Sequence, residues 1–123
     1  MIGAQTIGNA TVVGYDKIPI LATDPWLGLD HYAYFGSWYL PYEIPEKIHQ
    51  DILSSKYIFF SHGHPDHLNP YSIPKINNNT IILGDHVGKR MCNDIKAQGF
   101  NVRILNERVW NHLSKNRAVM CTS

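Results

Sequence analysis

Three histidines and one aspartate lie within six residues of this 123-residue chain, at His62, His64, Asp66 and His67. They directly follow the apolar run 57–60, which is typical of a buried β-strand. Imidazole nitrogens and carboxylate oxygens are common protein ligands of zinc and related divalent ions. The pattern therefore predicts a metal site where a buried strand ends.

The spacing of the four residues divides them between two ions. In extended backbone, residues i and i+2 point the same way, so His62 and His64 are expected to bind one ion together. Asp66 and His67 lie just beyond, where the chain turns, and can face a second ion. The alternative is a polar loop with solvated histidines, which this order of residues at a strand end disfavours.

A further carboxylate, Asp24, follows the apolar segment 18–23 and precedes Pro25. Proline disfavours helical backbone at the residue before it, so the angle of Asp24 is restricted. Two interpretations remain open. Asp24 either points at the same sheet edge as the histidines or serves as an ordinary turn or cap residue.

The composition narrows the class of protein. Charged residues make up 17% of the chain and the formal net charge is +1, so nothing indicates binding to nucleic acid or to a membrane surface. No apolar run approaches the roughly 20 residues of a membrane span. The expected partner is a small-molecule substrate. Two widely separated cysteines and no signal peptide predict a cytoplasmic setting.

The hydrophobic pattern predicts a hairpin followed by alternating strands and helices. Strands are predicted at 7–13, 18–23, 57–60, 80–83, 101–105 and 118–121, and helices at 45–54 and 87–98. Gly84 and Asp85 are expected to end the fourth strand, and Val87, Met91 and Ile95 to point inward from the second helix. This order favours an α/β or mixed α+β class, with a mixed sheet and helices on one face.

A long aromatic loop, residues 28–42, separates the first two strands from the first helix. Its rings can form a satellite apolar cluster, or they can wall a binding cleft. The cluster is the favoured interpretation for most of them. The ring-bearing residues are His31, Tyr32, Tyr34, Phe35, Trp38, Tyr39 and Tyr42.

Together these motifs resemble the metallo-β-lactamase superfamily. The His-x-His-x-Asp-His pattern carries the resemblance, and residues 24–27 (Asp-Pro-Trp-Leu) and 36–38 (Gly-Ser-Trp) support it. More narrowly, these motifs resemble the branch that contains the ascorbate-phosphate lactonase-like proteins and the metallo-β-lactamase-like domain of CMP-sialate hydroxylases. The resemblance implies an αββα sandwich with the metal site at its upper edge. Residues 1–123 then cover about the first half of one domain, truncated at its C-terminus.

The resemblance also implies roles for individual residues. His62 and His64 are ligands of a first metal, Asp66 and His67 of a second, and Asp24 orients these ligands. Zinc is the expected ion, with iron or manganese as alternatives. A metal-activated water then hydrolyses an ester, lactone or phosphodiester, with the sugar-related branch favouring a carbohydrate-derived substrate. Asp66 is the expected catalytic residue, holding the attacking hydroxide and accepting its proton.

The chain is short for this family, whose members usually run to twice its length or more. Their second half supplies a third histidine, a bridging aspartate and a late histidine. His86 and His112 are the histidines downstream of the motif, and neither is expected to be a ligand. Residues 1–123 alone are therefore expected to be inactive and to need the C-terminal half or an oligomeric partner. A non-catalytic metal-binding or scaffold domain, and a di-iron redox site, remain alternatives.

Without the second half, one apolar face of the sheet is expected to be at least partly exposed. Such a patch is unusual for a soluble monomer, because burial of apolar surface supplies most of the stability of a small domain. The residues expected on this face are Val12, Ile20, Ile58, Phe60, Ile82 and Val119.

Overall fold

The computed structural model describes residues 1–87 and 89–122. Its strands are β1 (Ile2–Gly8), β2 (Thr11–Asp16), β3 (Ile18–Thr23), β4 (Tyr57–Phe60), β5 (Ile81–Asp85), β6 (Asn101–Leu105), β7 (Asn111–Ser114) and β8 (Arg117–Val119). The α-helices are α1 (Glu46–Ser54) and α2 (Lys89–Ala97), with short 3-10 helices at Tyr34–Gly36 and Ile73–Lys75. In this part of the chain, no helix has the length and apolar character needed to cross a membrane.

Six strands form one mixed sheet in the order β1-β2-β3-β4-β5-β6. The first three are antiparallel neighbours, whereas β3 to β6 are parallel. The strands β7 and β8 form a separate antiparallel hairpin. Because parallel strands end at the same edge, β3 and β4 bring Asp24 and Ser61 to one place. The mixed α+β class predicted from the sequence is confirmed.

Both helices cover one face of the sheet. Ile52 of α1 and Ile95 of α2 belong to the same buried cluster as Ile58, Phe60 and Ile82 from the central strands. Alternate residues of a strand point to opposite faces, which places these three strand residues under the helices. The expectation that Ile58, Phe60 and Ile82 lie on an exposed face is therefore wrong.

The other face of the sheet is covered in part by the β7–β8 hairpin. Leu113 of β7 packs in a second buried cluster with Ile20, Tyr57, Leu83 and Leu105. The predicted exposure of Ile20 is therefore also wrong, whereas Val12 and Val119 are half-buried. An apolar groove of about 170 Å³ remains between sheet and hairpin. Its lining residues are Leu21, Thr23, Phe59, Leu83, Leu105, Val119, Met120 and Cys121.

The predicted first strand at 7–13 is wrong, because it spans the turn between β1 and β2. Asn9 in this turn has a φ of 49°, in the left-handed region where asparagine is more frequent than most residues. Strand β1 lies at the edge of the sheet and is largely exposed, so it carries no apolar alternation that the sequence could reveal. By contrast, the bounds of β3, β4 and β6 are those predicted.

The predicted end of the fourth strand at Gly84 and Asp85 is also wrong. Both residues continue β5 and pair with β6. Val87 does not point inward, since 72% of it is exposed, whereas Met91 and Ile95 are buried as predicted. Gly88, within the predicted second helix, lies outside the described residues.

Cys92 of α2 occupies the space beside Gly84. A Cβ atom at this position would meet the Cys92 Sγ far inside van der Waals contact. We expect Gly84→Ala to lower the free energy of unfolding by about 1–3 kcal/mol through overpacking. Urea denaturation measures this loss.

The double variant Gly84→Ala/Cys92→Ala tests whether the clash is the cause. Removing the sulfur makes room for the new methyl group, so the cost of Gly84→Ala should be smaller in the Cys92→Ala background. An equal cost in both backgrounds would contradict the packing explanation.

A buried polar contact joins α1 to the sheet. The Tyr15 hydroxyl donates to Asp51 Oδ2 at 2.8 Å, and Lys47 Nζ donates to Asp51 Oδ1 at 2.7 Å. Burial, together with this bond to Asp51, raises the pKa of Tyr15 from 10.0 to about 12. The Lys47 contact lowers the pKa of Asp51 below its usual value, against the opposing effect of burial.

The raised pKa of Tyr15 predicts a loss of stability at alkaline pH. Its contribution is complete below pH 10 and falls as the pH rises from 10 towards about 12, because the unfolded chain releases this proton first. We expect Tyr15→Phe to remove this part of the pH dependence and to cost about 1 kcal/mol near neutral pH. Chemical denaturation at pH 8 and pH 11 measures both effects. The exposed Tyr39→Phe is the control, and an equal alkaline slope in both variants would contradict the assignment.

Candidate functional site

The histidine-rich residues lie in the loop that follows β4. The His62 ring centroid is 4.5 Å from that of His64 and 4.0 Å from that of His67. Asp66 is buried, His62 and His67 are half-buried, and His64 is exposed. The loop therefore brings the three imidazoles together beside one carboxylate, while their role as metal ligands stays a prediction.

Asp24 is the hydrogen-bonding centre of this loop and only 4% of it is exposed. Its Oδ1 accepts from the Ser61 backbone N–H at 2.8 Å, and its Oδ2 accepts from the Ser61 hydroxyl at 2.7 Å. The same Oδ2 lies 2.9 Å from His67 Nδ1. Asp24 thus lies at the edge shared with the histidines, in contact with one of them.

The backbone of Asp24 has a φ of 38°, in the left-handed region. This differs from the extended conformation that a following proline favours. Two long-range bonds hold it: the Asp24 N–H donates to the Phe59 carbonyl at 2.8 Å, and the Thr11 hydroxyl donates to the Asp24 carbonyl at 2.9 Å. The β2–β3–β4 pairing therefore overrides the local preference, and this fixes the direction of the carboxylate.

These contacts determine which imidazole nitrogens carry protons. The single Ser61 hydroxyl proton goes to Asp24, so the 2.8 Å contact between Ser61 Oγ and His62 Nδ1 requires His62 Nδ1 to donate. His67 Nδ1 likewise donates to Asp24. In the neutral rings, both Nε2 atoms are then free to accept a proton or bind a cation.

A pair of acceptor atoms results from this arrangement. His67 Nε2 lies 3.3 Å from Asp66 Oδ2, and neither atom carries a hydrogen when the ring is neutral and the carboxylate ionised. Two such atoms repel unless a proton or a cation lies between them. A positive charge would remove this repulsion, either as a proton on the His67 ring or as a cation bound by both atoms.

Asp66 is fixed by the loops around it. The Tyr34 hydroxyl donates to Asp66 Oδ1 at 2.7 Å, and the Asn9 side-chain amide donates to the Asp66 carbonyl at 2.8 Å. The bond to Asp66 raises the pKa of Tyr34. Partial burial lowers the pKa of His62, with His67 and His64 acting in the same direction. A neutral His62 is the form that binds metal.

The donor set fits a divalent metal at the position between His67 and Asp66. Two ligand atoms about 2.1 Å from a tetrahedral zinc ion lie about 3.4 Å apart, close to the separation of His67 Nε2 and Asp66 Oδ2. Within residues 1–87 and 89–122, no three or more His, Cys, Asp or Glu side chains are already arranged to enclose an ion. The fit is thus to a pair of ligands and not to a complete site.

The two downstream histidines have other surroundings. His86 follows β5, with its Nδ1 2.6 Å from Asp85 Oδ1. His112 lies exposed in β7, opposite Ala118. The hydrogen bonds and ring contacts that join His62, His64, Asp66 and His67 include neither of them.

Sequence reasoning did not identify three contributors to the site. Ser61 precedes the motif and sets the His62 tautomer, while Tyr34 and Asn9 reach Asp66 from distant loops. The hydroxyl of Ser61, adjacent to a predicted ligand, was a usable signal. Nothing local to Tyr34 or Asn9 indicates the contact, because each is separated from Asp66 by more than thirty residues.

A comparison with protein-family models found no match, and a search of curated proteins found none either. Solved structures are similar in fold. One is an isothiocyanate hydrolase from Delia radicum gut bacteria, with a TM-score of 0.64 and 25% identity over 89% of this chain. Another is described as a possible metal-dependent hydrolase from Veillonella parvula DSM 2008, with a TM-score of 0.66 and 22% identity over 91% of this chain.

The match covers 42% of the first of these structures and 44% of the second. The chain thus spans less than half the length of the solved proteins that it resembles. At 22% identity the second likeness concerns the fold alone.

The contacts of Asp24 predict the effect of its loss. The two carboxylate oxygens of Asp24 accept protons from Ser61 and His67, and Asp24→Asn replaces one of these oxygens by an NH₂ donor. His67 Nδ1 should then accept a proton from this group instead of donating one, so the His67 tautomer should change. We expect the affinity for a divalent metal to fall about 10–100-fold, the usual effect of losing a partner that orients metal ligands. Nitrogen-detected NMR of the histidine side chains reports the tautomer, and titration calorimetry reports the affinity.

Asp94→Asn is the matched control, because Asp94 lies exposed on α2. It should leave both the tautomer and the affinity unchanged. An Asp24→Asn variant that folds and keeps His67 protonated at Nδ1 would contradict the orienting role.

Proposed function

We propose that this chain forms the first half of a metal-dependent hydrolase of the metallo-β-lactamase fold. The observation that carries the proposal is the pair of His67 Nε2 and Asp66 Oδ2, 3.3 Å apart, with the opposite ring nitrogen held by Asp24. The His-x-His-x-Asp-His pattern and the likeness in fold to two hydrolase structures support it. In this proposal the six-stranded sheet and its two helices are one α and one β layer of an αββα sandwich.

The proposed ligands are His62 and His64 for one ion, and Asp66 and His67 for a second. Zinc is the proposed metal, since imidazole nitrogen and carboxylate oxygen suit it, and iron or manganese can occupy similar donor sets. When bound, such an ion lowers the pKa of water and polarises the bond to be broken.

The residues of this chain supply orientation and a proton acceptor. Asp24 and Ser61 hold His62 and His67 with Nε2 facing the site. The Tyr34 bond fixes the Asp66 carboxylate and uses one acceptor position of Oδ1. Oδ2 is then the proposed ligand beside His67 Nε2, and the second acceptor position of Oδ1 is the proposed base that takes a proton from the attacking water. Both tasks require a fixed direction, which the buried bonds provide.

The proposed substrates share an electrophilic centre that water attacks. Esters, lactones and phosphodiesters are the classes expected from the motif, with carbohydrate-derived compounds among them. One similar structure is an isothiocyanate hydrolase, which adds the electrophilic carbon of an isothiocyanate to the candidates. All these reactions need an activated water and no nucleophilic side chain of the protein.

The proposed partner is a polypeptide that completes the fold, from the same chain or from another. A catalytic zinc site normally uses three protein ligands and an open position, whereas His62 and His64 provide two. The apolar groove between the sheet and the β7–β8 hairpin offers a surface for the missing layer. Both similar structures are more than twice as long as the matched part of this chain.

A second candidate function is that of a non-catalytic metal-binding or scaffold domain. It is favoured by one observation: among the described residues, no group of three or more ligand side chains is in place for an ion. In this case metal binds through the motif without hydrolysis, whatever partner is added.

Calorimetric titration of the chelator-treated chain with zinc tests the metal proposal. We expect specific binding, and a loss of affinity of at least about tenfold in His64→Ala. His64 is exposed, so this variant should fold. The matched control is His112→Ala, another exposed histidine, which should bind zinc like the wild type. No zinc binding, or equal losses in the two variants, would overturn the assignment.

Hydrolysis separates the two candidate functions. With p-nitrophenyl acetate, bis(p-nitrophenyl) phosphate and benzyl isothiocyanate, zinc-loaded residues 1–123 should stay close to the uncatalysed rate. Turnover should appear when the completing polypeptide is present, and a chelator should abolish it. Zinc binding without turnover in that complex would favour the scaffold, and full turnover by residues 1–123 alone would refute the need for further ligands.

A further inference from the structure

A cleft of about 210 Å³ lies beside the candidate metal site, on the side of the aromatic loop. One wall comes from the aromatic loop, and the other comes from residues next to Asp66 or a few positions after it. The lining residues are Tyr32, Tyr34, Phe35, Gly36, Pro65, Pro70 and Tyr71. None carries a formal charge at neutral pH, and four of the seven are aromatic.

The cleft adjoins the candidate site through Tyr34 and Pro65. Tyr34 lines the cleft and also donates its hydroxyl proton to Asp66 Oδ1 at 2.7 Å. Pro65 forms part of the opposite wall and lies between His64 and Asp66 in the chain. A molecule in the cleft therefore lies against Tyr34, the residue whose hydroxyl bonds to the proposed catalytic carboxylate.

One buried side chain fixes both walls. Asn69 is fully buried, and its amide donates to the carbonyls of Tyr32 and Pro65, each at 3.1 Å. Its Oδ1 accepts from the N–H groups of Tyr71 and Ser72 at 3.1 and 3.0 Å. All four bonding positions of the amide are thus used to hold the two loops at a set distance.

The aromatic loop presents its rings at a conformational cost. Tyr34 and Phe35 have φ values of 50° and 58°, in a region that bulky residues rarely adopt. Phe35 gains no burial from this backbone, since its exposed fraction is 112% of the reference value. Six of the seven loop rings are exposed and His31 is buried, so the satellite cluster favoured from the sequence for most of the rings is wrong. The buried cluster in this region is built on Trp26, Ala33 and Leu40. Strain that exposes an apolar ring beside a reactive site is typical of ligand-binding loops.

We propose that this cleft binds an aromatic ring of the substrate, a conclusion that rests on the proposed hydrolase function. A cavity of about 150 Å³ accommodates benzene, so the volume suffices for one ring. The absence of charge from its lining gives no partner for a phosphate or carboxylate. The expected substrate is thus a small neutral molecule with an aromatic group next to its electrophilic centre, in preference to a phosphorylated sugar.

The test uses binding of an inert probe, N-(4-fluorobenzyl)acetamide, followed in two-dimensional NMR spectra of the ¹⁵N-labelled chain. We expect the largest shifts at the backbone amides of Tyr32, Gly36 and Tyr71. Tyr71→Ala should weaken binding about two- to tenfold, the usual worth of one aromatic contact. N-butylacetamide, without a ring, should bind less tightly than the fluorobenzyl compound.

Phe35→Ala is a second variant, and its fold is safe because the ring is fully exposed. Phe35→Ala should weaken binding of the probe to a similar extent as Tyr71→Ala. Trp110→Ala is the matched control, since Trp110 is also exposed (64%) and lies outside the cleft lining. An equal effect of Trp110→Ala, shifts centred elsewhere, or equal binding of the two amides would overturn the proposal.

Repeating the titration with zinc and with a chelator separates this proposal from the function on which it rests. If the probe binds in the cleft but zinc does not bind at the motif, the aromatic-binding proposal stands and the proposed hydrolase function is refuted. Zinc binding at the motif without probe binding keeps the metal site and refutes the aromatic cleft.

Discussion

The buried carboxylate of Asp24 accepts hydrogen bonds from the Ser61 backbone, the Ser61 hydroxyl and His67 Nδ1. A carboxylate with 4% exposure needs such donors, because a buried charge without partners is strongly unfavourable. The parallel pairing of β3 with β4 places acceptor and donors at the same edge. The strand pairing therefore fixes the contact between Asp24 and Ser61, and the orientations of the His62 and His67 rings follow from that contact. Without this carboxylate, neither ring tautomer would be determined by the protein.

The sequence predicted the parts of the fold that have strong apolar patterns. Strands β3 and β4 are buried on at least one face, and these two strands and β6 begin and end where their patterns do. The edge strand β1 has no such pattern, so the predicted strand 7–13 runs through the turn at Asn9. Gly84 predicts a strand end because glycine weakens the interior of a strand. Its actual role depends on Cys92 of a later helix, which local sequence does not reveal.

The same distinction applies to the site. The sequence predicted one group from His62, His64, Asp66 and His67, because their types and positions after a strand are local properties. For Asp24 it left open whether the residue joins this group or only ends a strand, and the family resemblance supplied the expected role. It could not identify contacts that arise when separate loops meet, such as those of Tyr34 or Asn69. It also assigned the aromatic rings chiefly to an internal cluster, whereas most are exposed. The sequence shows that the loop is rich in aromatic rings. Whether a ring packs in the core or lines a cleft depends on the backbone conformation of the loop.

The position of the supporting contacts bears on what a completing polypeptide must supply. Every bond that orients His62, His67 and Asp66 comes from residues between Asn9 and His67, on β2, β3, β4 and the loops beside them. The residues of the described chain therefore suffice to orient His62, His67 and Asp66. In the proposed hydrolase, a completing polypeptide would add its ligands opposite side chains whose direction is already held by buried hydrogen bonds.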